Sequence, residues 1–198
     1  MSAKHQLIRS LVAVCVLAAL GTLKIYAGVP IASLPFTIYD DKDSTNNHYI
    51  ASGWIGHVNG VKMNESCTNN PHGGKTCYRF EYSEPDNWAG VVWQDPVNDW
   101  GDLLGGWNLT GAKELVFWAR GEKGGETVTF KFGILGADKT YSDSSGGELD
   151  NVKLTANWKE YHIDLTGKDM SCIKTGFAWT TIGQGQPVVF YLDDIQYK

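Results

Sequence analysis

The feature that most limits how this chain can fold is an alternating run that follows a glycine-rich turn. In residues 127–133, apolar Val128, Phe130 and Phe132 alternate with polar side chains, and Gly124 and Gly125 come just before. A period of two residues is typical of a β-strand that has one face against a core and the other in water. The segment therefore predicts a half-buried strand rather than a helix.

Short segments of similar composition recur along the chain and predict further strands. They cover residues 36–39, 77–82, 89–94, 115–120, 127–133, 149–154, 158–165, 176–180 and 188–197. Residues 40–53 are polar and acidic and predict a loop, and residues 54–66 contain only short apolar pieces. Turn signals roughly every 8–12 residues are typical of a sandwich or a jelly roll. The sequence thus predicts an all-β, single-domain jelly-roll β-sandwich.

Residues 1–27 have the pattern of a secretory signal peptide. A basic start precedes an apolar run over residues 11–23, and Ala27 supplies the small residue that precedes a cleavage site. The run is shorter than the about 20 residues that a membrane-spanning helix needs. We therefore expect a mature domain of residues 28–198 that is secreted, periplasmic or on the cell surface, with no membrane span after cleavage.

Export changes the interpretation of the cysteines. Cys67 and Cys77 flank a turn-forming segment, and a disulfide between them would close a short loop. A metal site built from both thiolates and His72 is the alternative. Cys172 is the odd cysteine and is expected to be buried and free, with pairing between two molecules as the alternative.

Charge and motifs exclude several classes of function. The net charge of −5 is spread along the chain, whereas nucleic-acid binding needs clustered Lys and Arg. The sequence contains no serine-hydrolase elbow, zinc-protease helix or phosphate loop, and its glutamates lie in no recognisable signature. We therefore expect a protein that binds rather than catalyses.

Three segments carry a family resemblance. Asn108-Leu-Thr-Gly-Ala-Lys-Glu-Leu leads into Phe117-Trp-Ala-Arg-Gly, Trp158-Lys-Glu-Tyr leads into Ile163-Asp-Leu-Thr-Gly, and the chain closes with Tyr191-Leu-Asp-Asp-Ile. Together these resemble the galactose-binding-like jelly rolls of carbohydrate-binding modules that accompany bacterial glycoside hydrolases. The resemblance covers about residues 36–198 and implies a polysaccharide ligand of the β-glucan or a related type. Because this fold also serves adhesion and structural roles, a structural or adhesive subunit of a cell-surface or extracellular assembly is the alternative, with self-assembly or a surface-protein partner.

Aromatic side chains are the first candidates for contact with a sugar. Sugar rings stack their C–H faces on flat aromatic rings, and their hydroxyls need polar partners. For each indole the alternative is packing at the end of the sandwich. The candidate ligand-binding residues are Trp54, Trp88, Trp100, Trp107, Arg120 and Tyr141.

A polar cluster is also predicted on one wet sheet face. Arg120, Lys131, His162 and Asp164 each lie opposite the apolar set of their strand, so that they could share the face of one sheet. The cluster could hydrogen-bond a glycan, or it could be a solvated face with ion pairs.

The resemblance, together with an oxygen-rich loop over residues 40–47, implies a structural calcium ion. The jelly rolls that this chain resembles often hold Ca²⁺ between the first and last strands, which implies Asp40 or Asp41 together with Asp193 as ligands. Calcium takes six to eight oxygen ligands from carboxylates and carbonyls. The alternative is a solvated acidic loop.

Overall fold

The structure, a computed structural model, describes residues 28–198; the predicted signal peptide lies outside the described residues. Its regular secondary structure consists of strands, and a 3₁₀ turn at Val58–Gly60 joins two of them. In chain order they are β1 (Phe36–Tyr39), β2 (Ile50–Gly56), β3 (Val61–Cys67), β4 (Cys77–Tyr82), β5 (Trp88–Gln94), β6 (Glu114–Gly121), β7 (Thr127–Phe132), β8 (Gly147–Lys153), β9 (Lys159–Asp164), β10 (Thr175–Ile182) and β11 (Val188–Tyr197).

The strands form two antiparallel sheets. One sheet has the order β3-β4-β11-β6-β9, and the other has the order β2-β5-β10-β7-β8. β1 and β4 share one edge of the long strand β11: β4 pairs along Val188–Leu192 and β1 along Ile195–Tyr197. The predicted all-β jelly-roll sandwich is confirmed.

Aromatic side chains from both sheets fill the space between them. Trp93, Phe130, Phe177 and Trp179 of the five-stranded sheet are fully buried. They meet rings of the other sheet edge-on; Trp179, for example, lies 5.0 Å from Phe190 at 86°. Burying an aromatic side chain of this size contributes about 1.5–3 kcal/mol, and edge-to-face contacts add about 0.5–1.5 kcal/mol each. The core therefore fixes which face of each strand points inward.

The predicted loop over residues 40–53 was wrong at its end, because residues 50–53 begin β2. Residues 54–67, for which no strand was predicted, contain the end of β2, the 3₁₀ turn and β3. β2 carries a register shift between Ala51 and Gly53 where it pairs with β5. Such a bulge breaks the period of two on which the strand prediction relied.

The prediction of one shared wet face was also wrong. Lys131 lies on β7 in the five-stranded sheet, whereas Arg120, His162 and Asp164 lie on β6 and β9 of the other sheet. Sheet membership depends on strand pairing, which alternation along one strand does not specify.

The three cysteines within residues 28–198 are free thiols in this structure, and all three are buried. Cys67 and Cys77 are direct cross-strand partners on β3 and β4, and the Cys77 thiol contacts the Cys67 carbonyl at 3.6 Å. Burial and the neighbouring Cys67 raise the pKa of the Cys77 thiol above its usual value. The disulfide itself stays a prediction, for which the two residues are suitably paired.

Within residues 28–198, no helix has the length and apolar character that crossing a membrane requires.

Candidate functional site

A groove lies on the outer face of the five-stranded sheet. It has a volume of about 460 Å³ and is partly open to solvent. Its lining comes from all five strands and the segment after β7, and consists of Ile55, Trp88, Thr127, Thr129, Lys131, Ile134, Asn151, Ala178, Thr180, Thr181 and Ile182.

Small residues on the two central strands create the depression. Gly90 of β5 and Thr180 of β10 are cross-strand partners, and Ile55 and Thr129 continue their row on either side. A Cβ at Gly90 would lie 2.4 Å from the Trp179 carbonyl oxygen. Only glycine therefore allows these two strands to approach so closely. Because Gly90 has no side chain, the floor of the groove lies below the side chains that surround it.

One end of the groove is an apolar platform. Trp88 and Ile182 are cross-strand partners and are 46% and 64% exposed. Gly56, at a φ of +75°, lies beside the Trp88 indole: a Cβ there would be 2.9 Å from Trp88 Cε3. The missing side chain at Gly56 thus leaves room for the indole to lie against the edge strand.

The β7–β8 side of the groove is polar. The Thr129 hydroxyl donates to Asp150 Oδ1 at 2.8 Å and accepts from the Asn151 backbone N–H at 3.0 Å. Lys131 Nζ donates to Glu148 Oε2 across the two strands. The groove therefore has an apolar half and a hydrogen-bonding half.

Gln94 covers the sheet face next to the groove floor. A Cβ at Gly53 would meet Gln94 Oε1 at 2.7 Å and the Val92 side chain at 3.0 Å. Gln94 Nε2 donates to the Asp99 carbonyl at 2.7 Å, and its Oε1 accepts from the Ser52 hydroxyl at 3.1 Å. These bonds attach the loop that follows β5 to the sheet.

A buried ion pair holds that loop. Lys174 Nζ donates to Asp99 Oδ2 at 2.5 Å, and the side chains are 1% and 3% exposed. Burial opposes ionisation of Asp99, but the hydrogen bond from Lys174 and the N–H groups of Asp102 and Leu103 outweigh it, so the pKa of Asp99 is lowered. Burial raises the pKa of the nearby Asp143 carboxyl, which accepts from the Thr175 hydroxyl at 2.6 Å. The pair therefore anchors the end of the sandwich beyond Gln94.

Of the six predicted ligand-binding residues, Trp88 lines the groove. Trp54 is 39% exposed at the edge of the sheet, and because side chains alternate along a strand it points away from Ile55 and the groove. Trp107 contacts Phe36, with ring centroids 4.9 Å apart, and is half-buried at the end of the sandwich.

Trp100 and Tyr141 lie in the loops beyond Gln94, where the Tyr141 N–H donates to the Gly101 carbonyl at 3.0 Å. Both are partly exposed, and neither lines the groove.

Arg120 lies on the other sheet and is 6% exposed. Its guanidinium sits 3.6 Å above the Tyr191 ring and donates to the Asn69 carbonyl at 2.9 Å. The loop between β3 and β4 covers Arg120, and the contacts of Arg120 stabilise that loop.

Sequence reasoning did not name Ile55, Thr180, Ile182 or Asn151 for the groove. A usable signal was present in β10, where Ala178 and Thr180 alternate with the buried Phe177 and Trp179. Small and polar residues on the outward face of a central strand indicate a floor on which a ligand can lie.

The acidic residues predicted to hold calcium are engaged by N–H donors. Asp41 Oδ1 accepts from the backbone N–H groups of Lys75 and Thr76 at 2.8 and 2.7 Å. Asp193 Oδ2 accepts from the backbone N–H groups of His72 and Gly73 at 2.8 and 3.2 Å.

Asp40 Oδ1 likewise accepts from the Asp41 N–H at 2.7 Å. Across residues 28–198, no three His, Cys, Asp or Glu side chains are grouped to hold a metal ion. In this arrangement at least one oxygen of each carboxylate accepts a hydrogen bond from a backbone N–H group. Calcium at Asp40, Asp41 and Asp193 stays a prediction.

A jelly-roll sandwich with an open groove across one sheet, an exposed indole at one end and hydrogen-bonding side chains along it, is the architecture of a carbohydrate-binding module. A sequence model of that class, carbohydrate binding domain 30, matches residues 35–198. The chain therefore belongs to carbohydrate-binding domain family 30. A comparison with curated protein sequences found no match.

Solved structures share the fold. The family 30 carbohydrate-binding module of the cellulosomal cellulase Cel9D-Cel44B of Clostridium thermocellum superposes with a TM-score of 0.56 at 16% identity, covering 84% of this chain and 98% of that one. The family 11 module of the cellulosomal cellulase Lic26A-Cel5E of the same organism gives 0.51 at 14% identity, covering 80% and 91%. The Endo-D glycoside hydrolase domain of Streptococcus pneumoniae R6 gives 0.52 at 12% identity, covering 73% of this chain and 21% of that one. At these identities the likeness shows a common fold.

Proposed function

We propose that this protein is an exported, non-catalytic module that binds a β-glucan-type polysaccharide in the groove of the five-stranded sheet. The observation that carries the proposal is the platform of Trp88 and Ile182 at one end of an open groove. Membership of a carbohydrate-binding family supports the ligand class, and the cellulase origin of two neighbours of the same fold agrees with a β-glucan.

The two halves of the groove suit the two kinds of surface on a sugar chain. A half-exposed indole offers a flat apolar surface to the C–H face of a pyranose ring. Thr129, Thr180, Asn151 and Lys131 provide donors and acceptors along the other half, where ring hydroxyls would lie. An open groove also admits the interior of a long chain, which a closed pocket would exclude.

The groove composition supports a non-catalytic role. Glycoside hydrolysis needs two carboxylates on either side of the scissile bond. Among the described residues that line the groove, none is Asp or Glu. A bound chain would therefore meet no acid and base pair there.

Export rests on the signal peptide predicted for residues 1–27. Sequencing the amino terminus of the protein recovered from outside the cytoplasm tests it, with Gly28 as the expected first residue. An amino terminus that still contains the apolar run would contradict cleavage and favour a retained anchor.

The function is tested by titrating the purified protein with soluble glucans, xylans and mannans, with and without Ca²⁺, and following tryptophan fluorescence. We expect Trp88→Ala to weaken binding of a glucan by about 30-fold, which corresponds to the loss of about 2 kcal/mol that marks a hot-spot residue, a class in which Trp is enriched. Trp100→Ala is the matched control and should change affinity by less than about twofold.

Each other outcome points elsewhere. Loss of binding in Trp100→Ala, with normal binding in Trp88→Ala, would place the site in the loop after β5, as the sequence pattern suggested. A flat response of folded protein to every glycan would favour the assembly hypothesis, and its oligomeric state would then be measured.

A further inference from the structure

The lining of the proposed polysaccharide groove contains one charged residue among those described, Lys131. It lies on β7 directly opposite Glu148 of β8, and its Nζ donates to Glu148 Oε2. A neighbouring depression shares Lys131 and Ile134 with the groove, and Glu148 belongs to its lining. The Glu148 side chain is 50% exposed, so that a chain extending from the groove into this depression would pass close to it.

Two further charges lie along the same edge of the sheet. Asp150 accepts hydrogen bonds of 2.8 Å from the Thr129 hydroxyl and from the Asn151 side-chain amide. Thr129 and Asn151 both line the groove. Lys153 is the cross-strand partner of Thr127, another lining residue. The β7–β8 edge of the groove therefore carries two cations and two anions, and Glu148 is the anion that contacts the one cation of the lining.

We infer that Glu148 is a specificity-determining residue, which neutralises Lys131 and so prevents acidic polysaccharides from using its ammonium group. This inference rests on the proposed function of the groove and adds a selectivity to it. The ligand class is then an uncharged polysaccharide, and chains that contain carboxylate groups are disfavoured.

The physical reason is the balance of charge at short range. Without Glu148, the Lys131 ammonium would be free to pair with a carboxylate on the bound chain. With Glu148 in place, a carboxylate on the chain meets a second carboxylate at the same position, and such like-charge contact is a common means of rejecting a wrong partner. One unit charge about 6 Å from a bound carboxylate changes its affinity by about tenfold at an effective dielectric constant of about 40.

The test compares two polymers with the same β-1,4-glucan backbone: uncharged hydroxyethyl cellulose and acidic carboxymethyl cellulose. The ratio of the two Kd values is measured for the wild-type protein, for Glu148→Gln and for a matched control. The control is Glu81→Gln, which disrupts another cross-strand Lys–Glu pair, Lys62–Glu81 at 2.9 Å on the other sheet.

We expect the wild-type protein to prefer the uncharged polymer, and Glu148→Gln to shift the ratio about tenfold toward the acidic one. The shift should vanish at about 1 M salt, where the Debye length is about 3 Å, and in the double variant Glu148→Gln/Lys131→Met. Glu81→Gln should leave the ratio at the wild-type value.

An unchanged ratio in Glu148→Gln, with both proteins binding hydroxyethyl cellulose, would overturn the role of Glu148 and leave the proposed function intact. A wild-type protein that binds carboxymethyl cellulose as tightly as the uncharged polymer would do the same. Failure of the folded wild-type protein to bind either polymer would overturn the proposed glucan binding and the inference with it.

Discussion

Gly56→Ala should both destabilise the fold and disturb the indole on which the proposed function depends. Gly56 has a φ of +75°, and a Cβ at this position would lie 2.4 Å from the Trp88 carbonyl oxygen and 2.9 Å from Trp88 Cε3. Contacts this short cannot persist, so either β2 or Trp88 must move. The substitution thus tests the link between an edge-strand glycine and the groove.

The expected magnitude has two parts. A non-glycine residue in the left-handed region costs about 1–2 kcal/mol. Overlap with packed neighbours adds about 1–3 kcal/mol, the usual cost of inserting a methyl group where no space exists. Gly56→Ala should therefore lower the free energy of unfolding by about 2–5 kcal/mol.

A second glycine separates the two parts. Gly167 has a φ of +76°, and nothing lies within 4 Å of the position of its Cβ. Gly167→Ala should therefore cost only the backbone part. Urea unfolding followed by circular dichroism measures both variants, and glucan titration measures whether binding is retained.

The reasoning would be refuted by either of two results. Equal destabilisation by Gly56→Ala and Gly167→Ala, within about 0.5 kcal/mol, would mean that the Trp88 contact has no energetic consequence. Wild-type affinity in a folded Gly56→Ala protein would mean that the position of the Trp88 indole does not control binding.

Three further predictions concern stability. Lys174→Met should lower the free energy of unfolding by about 3–5 kcal/mol in urea, because it leaves the Asp99 carboxylate buried without its partner; a loss below about 1 kcal/mol would contradict the role of the pair. Oxidation of Cys67 and Cys77 to a disulfide should raise the free energy of unfolding by about 3 kcal/mol, because the bond closes a short loop. The expected sign is a higher Tm that dithiothreitol reverses. An unchanged Tm in a protein whose disulfide is verified by mass spectrometry would contradict this prediction. Burial, followed by the charge of the adjacent carboxylate, raises the pKa of Asp193 to about 7. Between about pH 4 and pH 7 the folded protein keeps a proton on Asp193 that the unfolded chain releases, so the free energy of unfolding should fall as pH rises through this window. The fall should be smaller in Asp193→Asn. Parallel profiles of unfolding free energy against pH in the two proteins would refute the assignment of this effect to Asp193.

Local pattern was sufficient to predict the class of fold. The alternation of Val128, Phe130 and Phe132 is a property of one strand, and the core buries that set as predicted. The same holds for β1, β4 and β11, whose predicted bounds agree with the structure. For β4 and β7 the result depends on the period of two in an extended backbone, whereas β1 and β11 each carry a register shift in their pairing and were predicted from their apolar composition.

The site depended on long-range pairing instead. The bulge in β2 puts Ile55, rather than Trp54, on the groove side, because a shift of one residue moves a side chain to the opposite face. Arg120 and Lys131 have similar strand contexts, yet one lies under the loop between β3 and β4 and the other lines the groove on the opposite sheet.

The sequence by itself therefore determined that this chain is an all-β sandwich and which side chains of most strands face its core. Only the tertiary structure decided that Trp88, among the exposed indoles, lies in a groove, and that Glu148 meets Lys131 at its edge. The physical reason is that side-chain alternation is set by local backbone geometry, whereas a binding surface is assembled from strands far apart in the chain. Which strands become neighbours is decided by the packing of the whole core.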